Sequence, residues 1–218
     1  MKKLFYFLFV LANSVAVPCL AQKTETQAKP KAVGLGIEAG VGYNSMQTTL
    51  KLNTGEDSSA TLNHFWMQPC IRLHYDIVLK KFGSNNYLKL KPFAGYYTFG
   101  GKLKPDQNGN TDIFAFSSLE LGTGISIDIN NKFQITPLIK AQYLLSAKHR
   151  YLRISNIPTS DIKTDYQTLA ADAGLQFRFK YHHFTVGAEA WLGISNFSKL
   201  PNRTSKENNF RLLIGYEF

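Results

Sequence analysis

The sequence predicts an all-β protein, an eight-stranded antiparallel up-and-down transmembrane β-barrel. Three observations carry this expectation. Apolar residues recur with period two over whole segments, where a helix would need a 3.6-residue repeat. In every such segment the apolar face is free of charge, although Asp, Glu, Lys and Arg make up 18% of the chain. The connections between segments alternate long and short, the rhythm of a barrel with short turns at one rim and long loops at the other.

The elements follow in order. Lys2-Lys3, the apolar stretch from Leu4 to Val17, and small residues at Cys19 and Ala21 form a secretory signal peptide over 1–21. Pro18, directly before Cys19, argues against a lipoprotein. Residues 22–32 are polar and contain Pro30, as expected of a flexible periplasmic tail; the barrel then spans 33–218. Cys70 is left as the one cysteine of the secreted chain, so no internal disulfide staples the fold.

The first strand, 33–43, sets Val33, Leu35, Ile37, Ala39, Val41 and Tyr43 against a glycine-rich face carrying Glu38. A long loop over 44–63 leads to the second strand, 64–79, with Pro69, Ile71, Leu73, Tyr75, Ile77 and Leu79 on its apolar side. A short turn over 80–86 precedes the third strand, 87–99, whose apolar side holds Leu88, Leu90, Pro92, Ala94 and Tyr96. The second long loop covers 100–112. The fourth strand, 113–129, alternates through Leu119, Leu121, Ile125 and Ile127, turns at Asn130-Asn131-Lys132, and returns as the fifth, 133–147, through Phe133, Ile135, Pro137, Ile139, Tyr143 and Ala147. A third long loop, 148–165, opens on the sixth strand, 166–181. His182-His183 turns into the seventh, 184–195, and a fourth loop, 196–208, into the last. There Phe210, Leu212, Ile214, Tyr216 and Phe218 share one face and Arg211, Leu213, Gly215 and Glu217 the other.

The faces opposite the apolar ones decide what covers the strands. They carry seven acids (Glu38, Asp76, Glu120, Asp128, Asp172, Glu189, Glu217) and seven bases (Arg72, Lys89, Lys91, Lys140, Arg178, Lys180, Arg211). A β-sandwich core could not hold them. An eight-stranded barrel has interior room for side chains and not for a channel, so such charges must pair. The expectation is a structural polar network in the lumen, with lipid against the apolar faces. Aromatics gather at the strand ends, as interfacial girdles do: Tyr43, Phe65, Phe99, Phe114, Phe197 and Phe210 towards the long loops, and Phe82, Tyr87, Phe133, Tyr181, Phe184, Tyr216 and Phe218 towards the short turns. Pro69, Pro92 and Pro137 oppose the model, because a closed barrel has no edge to hide a proline and each removes a ladder hydrogen bond or marks a bulge.

The three prolines share a frame: Gln68-Pro-Cys-Ile-Arg-Leu-His-Tyr75, Lys91-Pro-Phe-Ala-Gly-Tyr-Tyr97 and Thr136-Pro-Leu-Ile-Lys-Ala-Gln-Tyr143. With the glycine-rich first strand and the Phe218 ending, this pattern resembles the small outer-membrane β-barrel domain family that includes OmpA-, OmpX- and PorT-like proteins. The resemblance implies a bacterial outer-membrane location. It also implies that Phe210, Leu212, Ile214, Tyr216 and Phe218 act as an assembly signal for the barrel-assembly machinery, and that a secretion or transport complex is a possible partner. No motif in it names a substrate.

Function is less determined. The net charge of +10 includes Lys2 and Lys3 of the leader, and the lumen set is neutral. The basic stretch Lys148-His-Arg-Tyr-Leu-Arg153 suits lipopolysaccharide phosphates. Nucleic acid is not an expected partner, for want of a dense basic stripe or stacking platform. No cofactor or metal site is expected, since His182-His183 lacks further ligands. The leading expectation is a non-enzymatic barrel with a structural or surface-interaction role. The alternatives are an accessory subunit of a secretion or transport complex, as PorT-like resemblance implies, and a lipid A-modifying enzyme using His64 or His149 near Ser58, Ser59 or Ser146. A soluble ligand-binding barrel is a further reading, and it requires an apolar interior.

Overall fold

In the computed structural model, residues 33–218 are described apart from 52–56, 83, 104–106, 108–110 and 153–158, with backbone alone for 33, 51, 57, 60, 62–67, 151 and 152. The signal peptide and tail expected over 1–32 lie outside the described residues. The strands are β1 (Val33–Lys51), β2 (Asp57–Phe82), β3 (Asn86–Leu90), β4 (Phe93–Lys102), β5 (Thr111–Ile129), β6 (Phe133–Leu152), β7 (Ser160–Asp161), β8 (Leu169–Tyr181), β9 (Phe184–Gly193) and β10 (Arg203–Glu217). All pairings are antiparallel, and the sheet closes on itself. β3 and β4 both lie between β2 and β5 and form one stave, interrupted at Lys91–Pro92. β7 is a two-residue addition to the edge of β6. The ring therefore has eight staves, and β10 closes it on β1 from Gly36↔Glu217 to Leu50↔Arg203.

The phase of every stave follows the apolar alternation. Leu35, Ile71, Tyr96, Leu121, Ile139, Phe177, Val186 and Ile214 all face outward and are exposed, Leu121 at 69%. Their neighbours in sequence point into the lumen and are buried. Such a surface in water would be a very large apolar patch. Against lipid it presents no open sheet edge, because the ring is closed. At the short-turn rim the belt ends in Phe82, Phe133, Tyr181, Phe184, Tyr216 and Phe218. At the other rim it ends near Tyr43, Tyr143 and Phe210. The short turns use left-handed residues, Asn130 (φ 54°), Asn131 (φ 54°) and His182 (φ 53°), where asparagine and histidine are tolerated. Gly36 on β1 is needed for a different reason: a Cβ there would lie 2.3 Å from the His74 imidazole.

The structure corrects the sequence reading in three places. First, the staves run well past the belt. β1 continues to Lys51, β2 starts at Asp57, β4 reaches Lys102, β6 reaches Leu152 and β10 starts at Arg203, so the loops expected over 44–63, 100–112, 148–165 and 196–208 are partly strand, the first of them mostly so. Above the membrane both sheet faces are polar, and polarity there marks water, not loop. Second, Ala147 is buried inside. Ser117 pairs with Ser146 and Ser118 with Leu144, so Leu145 is a bulge residue, and alternation flips beyond it. Third, Phe99 and Phe197 point inward at 1% and 3% exposure, and Phe114 packs beside them, so none belongs to a girdle. The side chain of Phe65 lies outside the described residues.

The prolines sit where the ladder is interrupted. Pro69 adjoins the gap in β2–β4 pairing between Asn63 and Cys70, Pro92 separates β3 from β4, and Pro137 lies where β5–β6 pairing jumps from Gly124↔Leu138 to Ile127↔Ile135. Pro92 still offers its carbonyl to Tyr75 N at 3.0 Å. No ladder hydrogen bond therefore depends on a proline N–H.

Candidate functional site in the barrel lumen

All fourteen lumen charges named from the sequence meet in one connected network, Lys89 joining it through Asp76 at 3.7 Å. Near the short-turn rim, Arg178 reaches Glu38 (3.0 Å), Asp76 (3.3 Å) and Glu217 (3.0 Å), while Lys180 pairs with Glu217 and Lys89 with Asp128. His74 Nε2 accepts from Arg178 at 3.0 Å. Midway, Arg72 bridges Glu38 (2.5 Å) and Glu189 (2.8 Å), and Lys91 Nζ donates to Glu38 (3.2 Å) and Gln176 (2.9 Å). Higher, Arg211 grips both carboxylate oxygens of Glu120 at 2.7 and 2.6 Å and approaches Glu189 at 3.4 Å. Lys140 pairs with Glu120 and lies 3.4 Å from Asp172, which accepts from Gln142 at 2.6 Å. The strands position these groups by parity alone: each is on the inward phase of its stave, and cross-strand neighbours such as Glu38↔Arg72, Lys140↔Asp172 and Arg211↔Glu189 are opposite in sign.

Aromatic side chains of the same inward phase fill what the ions leave. Arg211 lies 3.6 Å over the Tyr97 ring, Lys140 4.4 Å over Trp191 and Arg72 5.0 Å over Phe93. The space bounded by Glu38, Cys70, Arg72, Glu120, Glu189, Arg211 and Leu213 has no volume open to a water molecule.

Above the ions, the lumen changes character. Phe99, Phe116, Tyr166 and Phe197 pack ring to ring with centroids 4.9 to 5.6 Å apart, beside Met46, Leu144 and Ala147. The outer connections hold this layer shut. A one-turn 3-10 helix, Lys163–Asp165, brings Tyr166 over the mouth, Tyr166 pairs with Ser198, and Arg203 donates to the Tyr166 hydroxyl at 2.5 Å. Between the two layers sits Glu207, whose Oε1 accepts from Asn44 (2.7 Å) and Asn209 (2.9 Å). Among the described residues no cation lies within ion-pair distance of it. Its outward neighbours Lys206 and Asn208 are exposed and polar, so Glu207 stands above the apolar belt. Burial pushes its carboxyl up to about 7, with Lys140 opposing and Asp172 adding to the push. The sequence reading missed Glu207 by assigning 196–208 to a loop.

Of the histidines weighed as catalytic, only the side chain of His149 lies among the described residues. His149 Nε2 lies 2.7 Å from Asp112 Oδ1 at the half-exposed outer mouth, and its ring stacks on Phe114. Ser146 is bonded to Ser117 at 2.9 Å, and Ser58 and Ser59 are exposed on β2. Among the described residues no serine hydroxyl is hydrogen-bonded to the imidazole of His149. The His64 side chain lies outside the described residues. Phe210, Leu212, Ile214 and Tyr216 of β10 and the following Phe218 all face outward, and Tyr216 stacks on His183 and meets the rings of Phe184 and Phe218.

No family model matches the chain, and no curated protein does. It is similar to three solved structures among others. Ail of Yersinia pestis, in complex with the heparin analogue sucrose octasulfate, is 18% identical and aligns over 84% of this chain and 99% of its own, with a TM-score of 0.38. Neisserial surface protein A is 12% identical over 87% and 100%, at 0.41. The outer membrane enzyme PagL is 12% identical over 84% and 99%, at 0.35. Likenesses this low carry no argument about function, which rests on the residues of this chain.

Proposed function

We propose that the protein is a non-enzymatic barrel of the bacterial outer membrane, with a lumen filled for rigidity and a role exercised at its outer surface, structural or in surface interaction. One observation supports this most: the fourteen lumen charges all stand in ion pairs, and the space ringed by Glu38, Arg72, Glu120, Glu189 and Arg211 admits no water, which argues against a pore or a reactive group in reach of substrate. The belt of Leu, Ile, Val and aromatic residues meets outer-membrane lipid, and lipopolysaccharide surrounds the outer rim. The barrel-assembly machinery reads Phe210, Leu212, Ile214, Tyr216 and Phe218 during insertion. Cell fractionation with a heat-modifiable gel shift tests this reading: an outer-membrane band that migrates faster unheated is expected, and recovery in the periplasmic soluble fraction would refute it.

Two further roles stay open to experiment on the same preparation. The His149–Asp112 pair favours a lipid A-modifying activity as the second reading. Replacement of His149 by alanine is expected to leave the lipid A profile unchanged, and a changed profile would establish the enzyme. Isolation of the barrel in stoichiometric complex with a large envelope assembly would make it an accessory subunit of a secretion or transport machine.

A further inference from the structure

Above the apolar belt the outer wall is unevenly charged. Among the described residues of β1, β2 and β10 the exposed positions include Gln47, Ser59, Thr61 and Asn208, with Lys206 as a cation among them. On the opposite side of the ring β6 turns Lys148 and Arg150 outward, both exposed. The bulge at Leu145 makes that orientation. Without it, Lys148 and Arg150 would keep the inward phase of Lys140 and Leu144 and point into the aromatic layer; Ala147 occupies that place instead.

Cross-strand register gathers a third cation. Lys148 stands beside Ala115, Arg150 beside Ile113, and Lys102 of β4 flanks Ile113 on its other side. Strand spacing sets Lys102 and Arg150 about 10 Å apart. Between these cations and the belt lie only small side chains, Ala115, Ser117 and Ser146, the two serines bonded to each other at 2.9 Å. The nearest acid in register is Asp161 opposite Lys148; it accepts from the Lys163 amide at 2.9 Å and keeps its charge, which leaves the cluster with a net excess of two positive charges. Immediately below, Leu119, Tyr143 and Leu145 are exposed belt residues. The cations thus stand about 10 to 16 Å along the strand above Leu145, at head-group height and higher when the belt is in hydrocarbon.

We infer that this wall, formed by Lys102, Lys148 and Arg150 over the shelf of Ala115, Ser117 and Ser146, binds the phosphate-bearing sugar head of an outer-leaflet glycolipid. The inference rests on the outer-membrane reading and deepens it by fixing the lipid and the place. The Arg150 guanidinium offers two parallel donors to phosphate oxygens, and the lysines add point charges. The small shelf leaves room for a sugar where large side chains would exclude it, and acyl chains continue down Leu119, Tyr143 and Leu145. A bulky sugar carries its phosphate above the hydrocarbon edge, which suits cations placed several residues above the belt better than a glycerophospholipid does.

The test uses the folded full chain in phosphatidylcholine nanodiscs, titrated separately with lipopolysaccharide, with the same lipid dephosphorylated by hydrogen fluoride, and with phosphatidylglycerol. Intact lipopolysaccharide is expected to bind on the order of tenfold tighter than either competitor. Lys148→Gln with Arg150→Gln should erase that preference, and Lys206→Gln, on the far flank, should keep it. Arg150→Gln alone should weaken it, which keeps the test decisive if the double variant fails to fold. Equal binding of the dephosphorylated lipid or of phosphatidylglycerol, or full preference in the folded Arg150→Gln variant, overturns the site. A wild-type chain with no heat-modifiable shift overturns the barrel reading instead, so the two failures are told apart.

Discussion

Glu207 is the residue at which burial and charge are least reconciled. The fourteen charges beneath it pair off, whereas Glu207 is held by the carboxamides of Asn44 and Asn209. Burial raises its carboxyl from the ordinary 4.5 to about 7, so the folded protein keeps this proton where the unfolded chain has lost it. The sign follows from linkage: between about pH 4.5 and 7 the unfolded state binds fewer protons, and stability falls as pH rises through that window. The cost approaches roughly 3 kcal/mol at most, at about 1.4 kcal/mol per unit. Glu207→Gln keeps the hydrogen-bonding shape without the charge. It is expected to raise the unfolding temperature above pH 7 and to flatten the decline between pH 5 and 7, read by gel shift after graded heating at each pH. A variant no more stable than wild type at pH 8 would place the titration elsewhere. Arg211 and Glu120 were legible from strand parity, and so, in principle, were Phe93, Tyr97, Phe99 and Trp191, which share the inward phase of Lys91 and Glu189. Phe99 escaped because an aromatic at a strand end also fits a girdle. Glu207 escaped because its neighbours Lys206 and Asn208 are polar on the opposite face, so alternation vanishes around it.

At the scale of elements, the phase of each stave was legible within the belt and the ends of the staves were not. Lipid on one face and ions on the other force a period-two contrast, which a one-residue slip would invert. Beyond Tyr43 on β1 or Phe210 on β10 water replaces lipid, and Ser, Thr, Asn and Gln serve either face. The bulge at Leu145 was hidden for the same reason: Ser146, Ala147 and Ser117 are small enough to fit both phases. A charge placed on the lipid face tests the phase directly. Leu121 on β5 is flanked by Glu120 and Gly122 on the lumen side and is 69% exposed at mid-belt. Leu121→Arg is expected to cost about 2 to 4 kcal/mol and to reduce or abolish the heat-modifiable form. Thr61→Arg, on an exposed part of β2 above the belt, should fold as wild type. Equal tolerance of the two would mean that the face around Leu121 does not meet lipid.

For the whole molecule, the two fillings of the lumen lie in series along its axis. The lower is the ion network from Lys180 and Glu217 up to Arg211 and Asp172; the upper is the ring-packed layer of Phe99, Phe116, Tyr166 and Phe197 under the folded outer connections. They fail by different physics. Arg211→Ala leaves Glu120 without its bidentate partner and exposes the buried network to an uncompensated charge, a loss of about 3 to 5 kcal/mol. It does not open a path, because the aromatic layer above still excludes water. Phe116→Ala with Phe197→Ala removes most of the upper seal, yet the constriction ringed by Glu38, Arg72, Glu120, Glu189 and Arg211 below still has no space for water. Planar-bilayer recordings are therefore expected to show no conductance steps for wild type or for either variant, while Arg211→Ala alone shows a clearly lowered unfolding temperature. Only the combined variant should pass ions. Regular single-channel steps from the wild-type chain would mean that the lumen is a pore, and steps from Phe116→Ala with Phe197→Ala alone would mean that the ion network does not close it.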